Sequence, residues 1–342
     1  MGIEWFLVGL VLGTSLLGTL GLRRYAIHRQ LIDVPNRRSS HTRPTPRGGG
    51  VAIVIAFLAG FSGLYALGHM PHEVYLALSG AGLLVAVVGF WDDHSSLPAR
   101  LRIAVHGAAA VWALYCLGGM PVLELGFARW EWGWFGQAVA AVGLVWLLNL
   151  FNFMDGIDGI AASEAIFVAL AAALLAAPSG LQWGLVLLAV SCAGFLVLNW
   201  PPARIFMGDA GSGFLGFMLG GMAIAAAGQK PSLLWVWTIL LGVFLVDASV
   251  TLIRRISRGV RWYEAHRSHA YQIAARRWAS HKKVTLAVMA INIGWLLPLA
   301  GYAAIRPQYG PLLTALALAP LVAMALTLGA GGPEQPAPPQ SS

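Results

Sequence analysis

Long apolar runs separated by short polar segments make up nearly the whole chain. A helix needs about 17 to 25 apolar residues to cross a bilayer. Runs of that order recur near 3–22, 50–68, 74–91, 101–118, 134–150, 159–177, 182–198, 213–228, 232–253, 284–304 and 310–330. The pattern predicts an all-α polytopic membrane protein with about eleven transmembrane helices, the fifth and seventh short. The first run has no basic segment before it and no small-residue cleavage site after it, so it reads as a retained helix. Residues 1–330 form a single integral-membrane domain in this reading, and the Pro/Gly-rich 331–342 a disordered cytoplasmic tail. No internal repeat of the kind found in many transporters is visible.

Composition agrees with the pattern. The 342 residues are 58% hydrophobic and 11% charged, with a mean hydropathy of +0.71, whereas soluble domains carry about 25% charged residues. Cys116 and Cys192 both lie in apolar runs and read as core packing, not as a disulfide or metal site. The formal charge of +8 acquires meaning only from its placement. Of the 22 Lys and Arg residues, all but Arg129, Lys230 and Arg306 fall in one set of alternate loops. By the positive-inside rule the N-terminus is periplasmic and the C-terminus cytoplasmic. Basic residues that follow topology in this way leave no soluble aromatic-lined patch, which excludes a nucleic-acid partner. Asp33, Asp92, Asp93, Asp155, Asp158 and Asp209 fall on the same cytoplasmic side, and Asp247 lies in the ninth run toward that end.

Five polar stretches on that side could carry chemistry. In Asn149-Leu-Phe-Asn152-Phe-Met-Asp155-Gly-Ile-Asp158-Gly-Ile160, two carboxylates and two carboxamides interrupt apolar sequence. Hard oxygen donors at this density suit Mg2+ or Mn2+, although Asn and Asp also cap helices. Asp92-Asp93 can cap, share a cation or supply a base, and Arg100 and Arg102 follow within reach of a phosphate. Gly208-Asp-Ala-Gly-Ser-Gly213 opens the eighth run, where helix-terminal amides can take an anion while Asp209 holds a cation. Close helix packing is the alternative there. His266 and His269 stand three apart and can bind metal or phosphate, or belong to an amphipathic helix at the lipid headgroups. The Pro/Gly-shaped basic loop 37–50 includes Arg47.

Together and in this order, these stretches resemble the polyprenyl-phosphate N-acetylhexosamine-1-phosphate transferases, the family that includes phospho-MurNAc-pentapeptide transferase. The resemblance runs from Asp33 to Gln272, carried by Pro44-Thr-Pro-Arg-Gly-Gly-Gly50, Asp92-Asp93, Asn149 to Gly159, Asn199 to Asp209, and His266 with His269. Eleven spans also resemble the branch that starts O-antigen and related glycans.

The resemblance implies transfer of N-acetylhexosamine-1-phosphate from a UDP-sugar to undecaprenyl phosphate, giving UMP and a polyprenyl-diphosphate sugar. It implies Mg2+, with Mn2+ as substitute, at Asp209 with Asn152 or Asp155. Asp92, supported by Asp93, would deprotonate the lipid phosphate. Asp158, Asn199 and Phe206 would line the nucleotide pocket. His266, Arg267 and His269 would contact diphosphate or sugar, and Arg102 and Arg47 the phosphates. The setting implied is the cytoplasmic face of a bacterial inner membrane, with a homodimer by analogy alone. His266-Arg-Ser-His269 departs from the consecutive histidines of the peptidoglycan enzymes, which favours a simple UDP-N-acetylhexosamine over the pentapeptide substrate. Direct attack is preferred to a covalent aspartyl intermediate. A cation-coupled transporter would need acids deep in broken helices. A CDP-alcohol phosphotransferase would need a different run of residues after Asp155-Gly156.

Overall fold

The computed structural model describes residues 2–35, 41, 43–95, 97–175, 180–260 and 266–333. Helix α1 (Gly2–His28) leads through an antiparallel ladder, β1 (Ile32–Asp33) with β2 (Thr45–Pro46), into α2 (Gly50–Ala66). Next come α3 (His72–Ser95), α4 (Ala99–Leu117) and a second ladder, β3 (Leu123–Glu124) with β4 (Arg129–Trp130). The middle of the chain is α5 (Gly133–Met154), α6 (Ile160–Leu175), α7 (Gln182–Asn199) and α8 (Asp209–Gln229). It ends with α9 (Leu233–Leu240), α10 (Gly242–Ser257), α11 (Ala270–Trp278), α12 (His281–Ile291), α13 (Leu297–Ile305) and α14 (Gly310–Leu328). Arg37 and Arg38 of the basic loop, and the expected tail from 334 onward, lie outside the described residues.

The fold is that of an all-α polytopic membrane protein, and each of the eleven apolar runs is helical. Among the described residues, seven helices are long and apolar enough to cross a membrane, or eight if α9 and α10 are one bent span. Helices α2 and α6, at 17 and 16 residues, fall short of that length, and α4, at 19 residues and carrying Arg100 and Arg102, is long enough but not apolar enough. The helices run back and forth between two ends of one bundle. At one end Glu4 lies 3.5 Å from His69. At the other, Arg23 donates to the Arg204 carbonyl (3.3 Å) and Gly331 N–H to the Ser268 carbonyl (2.8 Å).

Helix α8 is the bundle's axis: every residue from Ala210 to Ala227 is buried. Its glycines let neighbouring backbones close in, the usual device of helix packing in lipid. A Cβ on Gly216 would lie 2.2 Å from the Leu147 carbonyl of α5, and one on Gly50 of α2 would lie 2.5 Å from the Gly211 Cα. These approaches set α2, α5 and α8 at fixed separations, and their ends build the site described below.

Two runs expected to be continuous are interrupted. The ninth breaks at Leu241, where α9 and α10 meet at 72°. Gly242 starts the new direction, and a Cβ there would stand 2.9 Å from Leu318 of α14. The tenth passes through a π-helical turn, Asn292–Leu296, between α12 and α13. Such turns re-aim one side chain, and here the beneficiary is Asn292. It is fully buried and donates its Nδ2 to Oε2 of fully buried Glu164 on α6 (2.5 Å). Glu164 Oε1 and Asn292 Oδ1 have no partner. One proton between those two atoms closes a two-bond ring and satisfies both.

This pairing makes Glu164→Gln the benign substitution, because a carboxamide supplies the missing donor. Thermal unfolding in detergent should leave Glu164→Gln close to wild type. Asn292→Leu, which strands a buried carboxyl, should lose about 1–3 kcal/mol. Equal losses in both variants would rule out the ring.

Candidate active site

A cavity of about 230 Å³ opens at the end of the bundle where α2, α6 and α8 begin and α3, α5 and α7 finish. Five aspartates reach its wall: Asp33, Asp93, Asp155, Asp158 and Asp209. Arg47, Asn152, Asn199 and Phe206 reach it as well. Residues up to 248 positions apart in sequence (Asp33 to His281) thus share one small space.

The cavity is held by its own polar groups. Asp93, at the end of α3, accepts the backbone N–H of Asp209 (3.0 Å) and of Ala210 (3.2 Å), so it caps the first turn of α8 from a different helix. Gly208 makes this fit possible: its φ is +79°, and a Cβ there would lie 2.6 Å from the Asp93 carboxylate. Arg47 donates to the Asp93 carbonyl. Asn199 joins three segments, accepting from Gly159 N–H (3.0 Å) and donating to the Ile205 carbonyl (2.9 Å). The Phe206 backbone pairs with Pro46 and Gly49, and its ring meets His41 edge-on at 4.8 Å. Asp158 accepts from Ala203 N–H (3.0 Å) and lies 3.2 Å from His281 Nδ1.

Asp92 stands behind the wall. It accepts from Leu97 N–H (2.6 Å) and from Arg102, which also lies 3.6 Å from Asp209. Arg102 therefore bridges Asp92 to the cavity, and Asp92 acts on the cavity through Arg102.

His266, Arg267 and His269 are not on the cavity wall, although Gln272, which accepts the His269 N–H (3.3 Å), is. His269 is buried, 3.3 Å from Asp247, whose carboxylate accepts Ala270 N–H and Tyr271 N–H, each at 2.9 Å. Asp247 thus caps α11 from α10, its oxygens taken up by the fold as a transport site's would not be. The Tyr271 hydroxyl then donates to the Phe153 carbonyl (2.8 Å), tying α11 to the end of α5. His266 stacks on His269 at 4.9 Å. Burial, the neighbouring His269 and Arg255 push the His266 imidazole down to about 3, so it is neutral at physiological pH. Arg267 is half-buried and not on the cavity wall.

The wall also includes His41, Gln272 and His281, which the sequence reading did not single out. His281 opens the tenth apolar run at the same end as the aspartates, and that placement was the available signal.

Among the described residues no three Asp, Glu, His or Cys side chains converge into a closed metal cage. The donor set still fits a hard divalent cation. Asn152 and Asp209 come within hydrogen-bonding reach of each other on the same wall, and Mg2+ is commonly held by one or two carboxylates plus substrate phosphates. Crowding of acids is the second sign. Asp155, in the loop after α5, has its carboxyl held well above the usual range, by burial first and then by Asp209, Asp93 and Asp158.

What fold and site together define is a polytopic membrane protein with an acid-lined, arginine-flanked cavity at one end of its helices. Residues 75–227 match the glycosyl transferase family 4 model. The chain is 30% identical over 297 positions to the probable undecaprenyl-phosphate N-acetylglucosaminyl 1-phosphate transferase of Bacillus subtilis (strain 168), covering 84% of this chain and 81% of that one. It is 34% identical over 299 positions to the phospho-N-acetylmuramoyl-pentapeptide-transferase of Desulforudis audaxviator, covering 76% and 82%. It is 29% identical over 370 positions to the decaprenyl-phosphate N-acetylglucosaminephosphotransferase of Mycolicibacterium smegmatis, covering 95% and 87%. The chain belongs to the polyprenyl-phosphate hexosamine-1-phosphate transferases of glycosyl transferase family 4.

Asp155 yields a pH-dependent stability with a definite sign. A carboxyl whose folded-state pKa is raised binds more protons folded than unfolded, so the folded state loses stability as pH rises above the unfolded value of about 3.9. In EDTA at neutral pH, Asp155→Asn should therefore melt above wild type, and the gap should close on acidification. A variant that melts below wild type at neutral pH would show that the charge is instead stabilising.

Proposed function

We propose that this protein transfers N-acetylhexosamine-1-phosphate from a UDP-sugar to undecaprenyl phosphate, on the cytoplasmic face of a bacterial inner membrane. The observation that carries the reading is the cavity itself: carboxylates for a cation and arginines for phosphate, at a bundle end where a lipid phosphate can arrive from the bilayer. The names of the Bacillus and Mycolicibacterium relatives support N-acetylglucosamine as the first sugar to test. O-antigen or a related surface glycan is the pathway proposed for the product. A periplasmic N-terminus and cytoplasmic C-terminus are proposed from the charge bias, and eleven spans from the apolar runs. A homodimer rests on family analogy.

In the reaction an oxygen of the lipid phosphate attacks the β-phosphorus of the UDP-sugar. One P–O bond forms, the bond from that phosphorus to the bridging oxygen breaks, and UMP leaves with the electron pair. Positioning and charge neutralisation dominate such transfers. Arg47 and Arg102 offset phosphate charge. Asp209 and Asn152, with Asp155 beside them, would hold Mg2+ or Mn2+, which supplies charge neutralisation at the diphosphate. Asp93 and Asn199 keep the walls in place, and Asp92 keeps Arg102 aimed. Asp92, expected from sequence to take the proton of an incoming lipid phosphate, stands behind the wall and is hydrogen-bonded to Arg102 and the Leu97 N–H, so that role passes to a carboxylate on the wall, with Asp155 as the candidate. His266, Arg267 and His269 are off the wall, and the motif is proposed to reach the donor through the α11 cap, whose Gln272 is on it.

The test uses detergent-purified protein, Mg2+, undecaprenyl phosphate and radiolabelled UDP-sugars, with UDP-MurNAc-pentapeptide as one arm. Label should enter the organic phase with a UDP-N-acetylhexosamine. EDTA should abolish it, and Asp209→Asn should lower it by about 100-fold or more. Folded protein that moves no label from any donor would overturn the reading.

A further inference from the structure

Beside the acid cavity lies a second, outer one of about 670 Å³, and the two share His41, Phe206, Asp158 and His281 as lining. These four form a neck. On the inner side stand the aspartates; on the outer side stand Arg43, Arg276 and Lys282 beside Pro201 and Pro202. Charge is therefore mainly acidic within, where Arg47 stands among the aspartates, and basic without.

Size decides what must pass through it. Pockets that enclose a small organic ligand usually measure roughly 300–1,000 Å³. The inner cavity, at about 230 Å³, is below that range, whereas inner and outer together are within it. A nucleotide sugar whose diphosphate sits among the aspartates extends through the neck.

One side of the neck is fixed by the first turn of α12. His281 Nδ1 lies 3.2 Å from Asp158 Oδ1 and 3.4 Å from Asp158 N. With a proton on Nδ1 it donates to the carboxylate; without one it accepts the backbone N–H. In either state it holds Asp158. One turn further on, fully buried Thr285 donates to the Asp158 carbonyl (3.1 Å). The Ser280 hydroxyl fixes the turn itself by accepting Lys283 N–H (3.3 Å).

We infer that the donor nucleotide sugar occupies both cavities and that His281 is a positioning residue for it, holding Asp158 at the neck. The inference rests on the proposed transferase reaction and adds a residue to its donor site. Nothing in it concerns the lipid acceptor, which makes the two substrates separable.

The experiment measures steady-state kinetics and calorimetric binding of UDP for wild type, His281→Ala, His281→Asn and His281→Gln in detergent. His281→Ala should raise the donor KM and weaken UDP binding by about tenfold, with kcat within about threefold and the undecaprenyl phosphate KM unchanged. His281→Asn, whose amide falls where Nδ1 does, should restore most of the affinity. His281→Gln, whose amide reaches the Nε2 position, should not. Should His281→Ala fail to fold, the contrast between Asn and Gln decides alone. UDP affinity and donor KM unaltered in His281→Ala would overturn the inference, as would loss of kcat with the donor KM intact. Wild type that neither binds UDP nor transfers a sugar sinks the reaction itself, and this inference with it. Wild type that binds UDP no better than His281→Ala sinks the inference alone.

Discussion

The start of α8 depends on a carboxylate from another helix. Asp93 takes the amides of Asp209 and Ala210, groups that have no partner within α8 itself. A buried amide left unmet costs about 1–3 kcal/mol. The cap therefore fixes where α8 may begin relative to α3. Since α8 is buried throughout, fixing its start also fixes the neighbours that pack on its glycines. Asp209 leaves the first turn toward the cavity as a consequence.

The same device recurs at Asp247. That carboxylate caps α11 from within α10 and takes the His269 ring as a further neighbour. Two buried aspartates thus anchor two helix starts, one at the core of the bundle and one at its rim. Tyr271 carries the second anchor back to the α5 end, beside Asn152. The histidine motif, although off the wall, is in this way tied to it, through Tyr271 and through Gln272, which accepts the His269 N–H and itself lines the cavity.

Sequence reading reached the layout of the membrane runs because length and hydropathy are nearly local properties. It reached Asp93, Asn152, Asp155, Asp158 and Asp209 because polar groups inside an apolar chain stand out, and Asn199 and Phe206 through the family resemblance. It could not see the break at Leu241, where apolar sequence continues across the bend and only the packing of Gly242 against Leu318 marks it. The π-turn at Asn292 was hidden for the same reason, its partner Glu164 being 128 residues away. Nor could spacing distinguish side chains that face the cavity from those spent on the fold. His266 and His269 look like ligands by sequence, whereas His269 is buried as the N-cap of α11 with His266 stacked on it. His281 shows the reverse: it looks incidental until Asp158 is placed beside it.

This division bears on how loss of activity is to be read. Asp93, Asn199 and Asp92 reach the chemistry through an amide, a loop or an arginine, so their removal disorders the cavity before it touches a reacting atom. Asp155 is the opposite case. It is crowded by like charge, and the fold gains by its neutralisation, so its retention is a cost borne in the protein without substrate. A group that destabilises the empty site yet lines the cavity has a physical reason to be there only when a compensating charge arrives. Stability and activity should therefore move together at Asp93 and in opposite directions at Asp155, which separates the frame of the site from its chemistry on physical grounds.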